Sequence, residues 1–141
     1  MSLEQNKLVA RRLLEEVVNT GNVDLLPELV SPDCREANDP AGHSVGLDSM
    51  RAHVLGVRQT FSDLHLTVEH QIAEGDWVAT RVTGRGTHSG VWLGMLPTGK
   101  QVEIIAVNLD RIVDGKIIEH GGAANMFEAL LGIGAIKLVT H

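Results

Sequence analysis

The chain has 141 residues, of which 43% are hydrophobic and 21% are charged. This length allows one domain with a substantial core, and the composition excludes intrinsic disorder. Eighteen acidic and 12 basic residues give a formal net charge of −6, which argues against a nucleic-acid-binding surface. No stretch is long and apolar enough to span a membrane, and residues 1–20 lack the layout of a secretory signal, so we expect a cytoplasmic protein.

The first sixty residues carry the periodicity of helices. Ser2 and Gln5 have the spacing of a capping box, which opens the first helix. Helices are expected from this cap to the stop signal Asn19-Thr20-Gly21, from Asn22 to about Val30, and from about Leu47 to Phe61. One proline and two glycines predict a loop from Asp39 to Gly46.

From Leu64 onward, apolar and polar residues alternate, which predicts strands. Asp114-Gly115 lies between two apolar pairs and indicates a tight hairpin. The strands are expected from Leu64 to the turn at Glu74-Gly75-Asp76, from Trp77 to His88, from Lys100 to Ile112, and from Lys116 to about Ala123. A closing helix follows from Asn125 to about Gly132, and the order of elements is that of an α+β fold.

Five short sequence phrases follow one another through nearly the whole chain. They are Asn38-Asp39-Pro40, Phe61-Ser62-Asp63-Leu64, Gly86-Thr87-His88-Ser89-Gly90, Pro97-Thr98-Gly99-Lys100, and Arg111-Ile112-Val113-Asp114-Gly115-Lys116-Ile117 with Glu119-His120. In this order and spacing the chain resembles the SnoaL-like polyketide cyclases of the NTF2-like superfamily.

The resemblance implies a cone-shaped fold in which N-terminal helices pack on a strongly curved, mostly antiparallel sheet, with residues 1–141 as one domain. It also implies a homodimer formed through the sheet. The implied activity is an intramolecular aldol-type cyclisation of a small hydrophobic carbonyl compound in the cone pocket, without a metal or organic cofactor. Such a reaction needs an acid/base side chain and hydrogen-bond donors for the enolate.

The chain departs from the family pattern at three chemical positions. Gly121 stands where the family has a tryptophan, and no carboxylate follows His120 until Glu128. Asn38 and Asn108 stand where relatives often carry histidine. Two alternatives to a cyclase therefore stay open: a protein that binds a small hydrophobic ligand without chemistry, and a related isomerase or epoxide hydrolase.

His120 and Asp110 are the candidate catalytic residues. His120 has the side chain best suited to proton transfer near neutral pH, and otherwise it is an ordinary strand histidine. Asp110 alternates with Asn108, Ala106 and Ile104, so these residues share one sheet face. On the concave face Asp110 would be a base in an apolar setting, and on the convex face a solvated or interface acid.

The candidate substrate-binding residues are Asn108, Asn125, Asn38, His53 and Trp92. The three asparagines can only orient a ligand, and Asn38 and Asn125 also suit a turn and a helix cap. Trp92 lies in a short apolar tract with Leu93, Met95 and Leu96. This tract either roofs the pocket or stays exposed as a lid or association surface. The seven histidines show no metal-binding spacing, and His88 is expected to be exposed at the edge of the cone.

Overall fold

The computed structural model of the protein describes residues 2–39, 41 and 46–140. Most of the loop predicted from Asp39 to Gly46, namely Pro40 and residues 42–45, lies outside the described residues. The helical elements are α1 (Leu3–Arg12), α2 (Leu26–Leu29), α3 (Gly46–Thr60) and α4 (Phe127–Gly132). The strands are β1 (Val30–Glu36), β2 (His65–Glu74), β3 (Trp77–Thr87), β4 (Gln101–Val113) and β5 (Lys116–Asn125).

The first helix begins at the predicted capping box. The Gln5 N–H donates to Ser2 Oγ at 3.1 Å, and the Ser2 N–H donates to Gln5 Oε1 at 2.9 Å. Helix α1 continues into a π-helical segment, Leu13–Val18, and the chain reverses at Gly21, which has a φ of 77°. The two capping-box bonds between Ser2 and Gln5 satisfy backbone donors that a helix N-terminus otherwise leaves unpaired.

The second predicted helix ends one residue early, and a strand that the sequence did not predict follows it. A 3₁₀ turn at Val23–Leu25 leads into α2, and β1 begins at Val30. Strand β1 was missed because its burial does not alternate and its pairing with β5 is irregular between Val30 and Arg35. A period-two pattern is the signal by which a strand is recognised in a sequence.

The strands form one five-stranded sheet in the order β1-β5-β4-β3-β2. Strand β1 runs parallel to β5, and all other neighbouring strands are antiparallel. The predicted hairpin is present between β4 and β5, where Asp114 and Gly115 have φ values of 50° and 79°. Two consecutive positive φ values are what a type I′ turn requires. The helices lie against the concave face of this curved sheet, so the predicted α+β architecture is confirmed.

Two groups of buried apolar residues hold the helices on the sheet. One group joins α1, α2 and α3 to the strands and consists of Val9, Ala10, Leu13, Val17, Leu26, Leu29, Val30, Cys34, Val54, Val78, Ile112 and Ile117. The other consists of Phe61, Val102, Ala129 and Ile133. No helix in the described part of the chain is long and apolar enough to cross a membrane.

Candidate active site

A cavity of about 710 Å³ lies between the helices and the concave face of the sheet. Its apolar lining comprises Leu13, Leu14, Val18, Met50, Val54, Val57, Phe61, Leu64, Leu66, Val82, Val102, Ile104 and Met126. Glycines and alanines of the strands form a second part of the wall, at Gly84, Gly86, Ala106, Gly121, Gly122, Ala123 and Ala124. The remaining lining residues are Glu36, Asn38, Ser49, His53, Trp92, Asn108 and His120. Such a mostly apolar cavity with a few polar groups suits a small hydrophobic ligand.

Asp110 and His120 form a hydrogen-bonded pair at the wall of this cavity. The antiparallel register places the two residues opposite each other on β4 and β5. Their Nδ1 and Oδ1 atoms are 2.5 Å apart, and the side chains of His120 and Asp110 are 27% and 3% exposed. Asp110 lies on the concave face, which is the first of the two alternatives given for it above. It is buried, however, and does not line the cavity.

The pair fixes which nitrogen of His120 faces the ligand. An ionised carboxylate only accepts hydrogen bonds, so Nδ1 of His120 carries a proton and donates a hydrogen bond to Asp110 Oδ1. The other ring nitrogen, Nε2, is then the one available for proton transfer. Burial lowers the pKa of His120, but the hydrogen bond to Asp110 and the negative charges of Asp110 and Glu36 outweigh it, so the pKa is raised above 6.5.

Strand β1 adds Glu36 to the same wall. The parallel register pairs Glu36 with His120, and the Ala37 N–H donates to the His120 carbonyl oxygen at 2.8 Å. Glu36 Oε1 accepts a hydrogen bond from the Asn38 N–H at 3.0 Å, and Asn38 Nδ2 donates to the Gly122 carbonyl oxygen at 2.7 Å. The bonds to His120 and Gly122 join the end of β1 to β5 beside the His120–Asp110 pair.

Sequence reasoning missed Glu36 because it missed β1. One signal was available: Glu36 lies two residues before the candidate residue Asn38, at the point where β1 enters the turn of Ala37 and Asn38.

Gly121 leaves room for the Glu36 carboxylate. A Cβ atom at position 121 would lie 3.1 Å from Glu36 Oε1, 3.1 Å from Asn38 Oδ1 and 2.9 Å from the Cβ of Ala37. A side chain at this position would therefore push the end of β1 away from β5. The glycine that departs from the family pattern is the residue that admits Glu36 to the cavity wall.

Trp92 closes one side of the cavity. Its ring packs edge-on against Phe61, with the centroids 5.2 Å apart, while Leu93 and Leu96 of the same tract are 70% and 77% exposed. A second cleft of about 620 Å³ adjoins the cavity, and His53, Val57, Phe61 and Trp92 line both. The tract thus divides, with Trp92 against the cavity and the leucines in solvent.

Comparison with known proteins agrees with the fold. A model of the SnoaL-like polyketide cyclase family matches residues 8–131. The chain belongs to this family. It is 38% identical to the nogalonic acid methyl ester cyclase of Streptomyces nogalater over 104 residues, which cover 72% of this chain and 78% of that one.

Two further relatives extend the comparison of this SnoaL-like protein. It is 32% identical to the aklanonic acid methyl ester cyclase AcmA of Streptomyces galilaeus over 116 residues, which cover 81% of each chain. The solved structure of AclR from Streptomyces galilaeus, to which a hydroxylase activity has been ascribed, superimposes with a TM-score of 0.84. That match has 30% identity and covers 99% of this chain and 87% of AclR.

The SnoaL-like fold brings most of the predicted site residues together. Asn38, His53, Trp92, Asn108 and His120 all line the cavity. Asn125 does not: it is exposed, it pairs with Ile105 on β4, and it is the last residue of β5. It is not a helix cap either, because α4 begins at Phe127 and Met126 holds the N-cap position without a side-chain hydrogen bond.

His88 and Cys34 are both buried outside the cavity wall. His88 is fully buried and not exposed as expected, because backbone hydrogen bonds to Gly99 and Lys100 close the following loop over it. Cys34 is buried, and burial together with the charges of Asp110, Glu36 and Glu119 raises the pKa of its thiol to about 11. Near neutral pH, Cys34 therefore stays almost entirely in the weakly nucleophilic thiol form. The described residues contain no cluster of three or more histidine, cysteine, aspartate or glutamate side chains that could hold a metal ion.

Proposed function

We propose that this SnoaL-like protein catalyses a cofactor-independent, intramolecular aldol-type cyclisation of a small hydrophobic polyketide ester. Nogalonic acid methyl ester and aklanonic acid methyl ester, named in the activities of two relatives, are the natural probes. The observation that carries the proposal is the His120–Asp110 pair, whose imidazole lines an apolar cavity large enough for such a compound.

The reaction requires proton movements but no other reagent. A proton leaves a carbon next to one carbonyl group, this carbon bonds to a second carbonyl carbon within the same molecule, and the second carbonyl oxygen gains a proton. Substrate and product are isomers. His120 is the acid/base group in this scheme, Asp110 orients its ring, and Asn108 on the cavity wall offers its amide to a substrate oxygen.

The proposal is tested by incubating the purified protein with each ester and analysing the products by mass spectrometry and NMR. We expect a product of unchanged mass with one new ring, and a His120→Gln variant that forms it at least about 100-fold more slowly. A substrate that is bound but recovered unchanged would favour a binding protein, and a product heavier by one oxygen atom would favour an AclR-like activity. Either result would overturn the proposal.

We also propose that the protein is cytoplasmic and forms a homodimer through the outer face of the sheet. Ile105, Val107 and Leu109 alternate along β4 on that face and are 38%, 45% and 41% exposed. A row of apolar side chains at the centre of a sheet suits a second copy of the same surface. Sedimentation velocity at micromolar concentration should give a dimer for the natural chain and a monomer for Val107→Lys. A monomeric natural chain would contradict this proposal.

A further inference from the structure

Glu36 is the one carboxylate among the described residues that line the cavity. It reaches this position from β1, beside His120 on β5, and Gly121 provides the space that its carboxylate occupies. Asp110 is bound to Nδ1 of the imidazole from β4, on the other side of β5, and does not line the cavity. The two carboxylates therefore approach His120 from different sides, and only one of them is placed to touch a ligand.

The hydrogen bonds of Glu36 orient the group without occupying it. Oε1 accepts the Asn38 N–H, while Oε2 makes no hydrogen bond within the described part of the chain. Asp110 is committed to Nδ1 of His120 at 2.5 Å. An oriented carboxylate with a free oxygen at an apolar cavity is well suited to accept a proton from carbon.

The charges around His120 favour its protonated form. Asp110 contacts it from β4 and Glu36 faces it from β1, while His53 of α3 is the other titratable group among the described residues of the cavity wall. A protonated imidazole next to an ionised carboxylate presents an acid and a base to the same ligand. Environments that separate the protonation states of two neighbouring groups commonly assign their roles in acid/base catalysis.

We propose that Glu36 is the catalytic base of this site and that His120, held by Asp110, is the acid that acts with it. This assignment rests on the proposed cyclisation and gives that reaction a direction of proton flow. The family pattern has a carboxylate after His120 on β5, and this chain lacks it. Glu36 on the neighbouring parallel strand β1 replaces it.

The step balances in protons and electrons. The carboxylate of Glu36 takes the proton from the carbon next to the first carbonyl, and the electron pair of the broken C–H bond forms an enolate. The enolate carbon bonds to the second carbonyl carbon, and the oxygen of that carbonyl takes the Nε2 proton of His120. Transfer of the proton on Glu36 to His120 then restores both groups.

The test compares the natural protein with Glu36→Gln, Glu36→Asp and the control Glu119→Gln. Glu119 precedes His120, but its carboxylate is bound to Arg35 at 2.7 Å and does not line the cavity. With either ester as probe, we expect Glu36→Gln to lower kcat at least about 100-fold, Glu36→Asp to recover part of the loss, and the control to stay within about threefold. The natural enzyme should lose kcat/KM as pH rises through the titration of His120.

Two kinetic results would overturn the assignment. One is a Glu36→Gln variant with kcat within about threefold of the natural enzyme. The other is a kcat/KM that rises as His120 loses its proton, because a neutral imidazole would then be the base.

An NMR titration of the imidazole of His120 separates this proposal from the proposed function. Removing the Glu36 charge should lower the pKa of His120, whereas the control should leave it unchanged. If the natural protein cyclises neither ester, the proposed function fails for these substrates, and the titration alone decides on the pair. A titration of His120 that is identical in Glu36→Gln and in the natural protein would overturn the pairing.

Discussion

Replacing Asp110 with asparagine should destabilise the protein by an amount that depends on pH. The substitution keeps the size of the side chain but removes the charge from a nearly fully buried group that lies 2.5 Å from His120 Nδ1. A hydrogen bond between charged groups contributes about 1.5–3 kcal/mol and a neutral one about 0.5–1.5 kcal/mol. The difference between these two contributions is the part of the free energy of unfolding that should depend on whether His120 is protonated.

The sign of the pH dependence follows from the direction of the pKa shift. The pKa of His120 is raised in the folded protein relative to 6.5, so its stabilising contribution is complete below pH 6.5 and is lost as pH rises through the folded-state value. We expect Asp110→Asn to lower the free energy of unfolding by about 1.5–3 kcal/mol near pH 5.5. Near pH 9 the loss should fall below about 1 kcal/mol, because a buried carboxylate beside a neutral imidazole stabilises little.

Urea unfolding of both proteins at the two pH values provides the measurement. Glu103→Gln is the matched control, since Glu103 binds Arg85 at 2.8 Å with both side chains more than half exposed. Exposed pairs contribute at most about 1 kcal/mol, so the control should change little at either pH. An equal loss at both pH values for Asp110→Asn, or a larger loss near pH 9, would refute the reasoning about the charged pair.

Three further predictions concern other contacts of the structure. Gly121→Ala should fold but cyclise the esters at least about tenfold more slowly, because its Cβ displaces Glu36; unchanged kcat would contradict this use of the glycine. Cys34 should resist an aromatic disulfide reagent near pH 8 until urea unfolds the chain, and rapid labelling of the folded protein would disprove its burial. Asn19→Ala should cost about 1–3 kcal/mol in urea unfolding, since Asn19 bonds both backbone groups of Leu66, and a change within experimental error would refute this.

The sequence allowed most of the architecture to be predicted, because the signals involved are local. The capping box at Ser2, the turn at Asp114-Gly115 and the alternation of β3 and β4 each depend on residues close together in the chain. The partnership of Asp110 with His120 did not follow from the hairpin alone. The register next to the turn, with Ile112 opposite Ile117, would place Asp110 opposite Glu119, and a register shift between Arg111 and Ile112 places it opposite His120 instead.

What could not be predicted depends on contacts between distant parts of the chain. Strand β1 has no alternating pattern of its own, and only its pairing with β5 makes it a strand and brings Glu36 to His120. The burial of His88 likewise depends on the loop that Gly99 and Lys100 close over it. The position of Asn125 was missed because β5 extends two residues beyond the expected end.

The parallel pairing of β1 with β5 has a consequence for the order of folding. Strands β2 to β5 pair with neighbours along the chain, whereas the hydrogen bond from Asn38 to Gly122 closes a loop across 84 residues. Closing long loops costs more chain entropy than closing short ones, and long-range pairing slows folding. We expect the antiparallel meander of β2 to β5 to form early and β1 to dock late. The cavity wall that carries Glu36 and His120 is then completed last. Amide hydrogen exchange should therefore find β1 opening more readily than the meander.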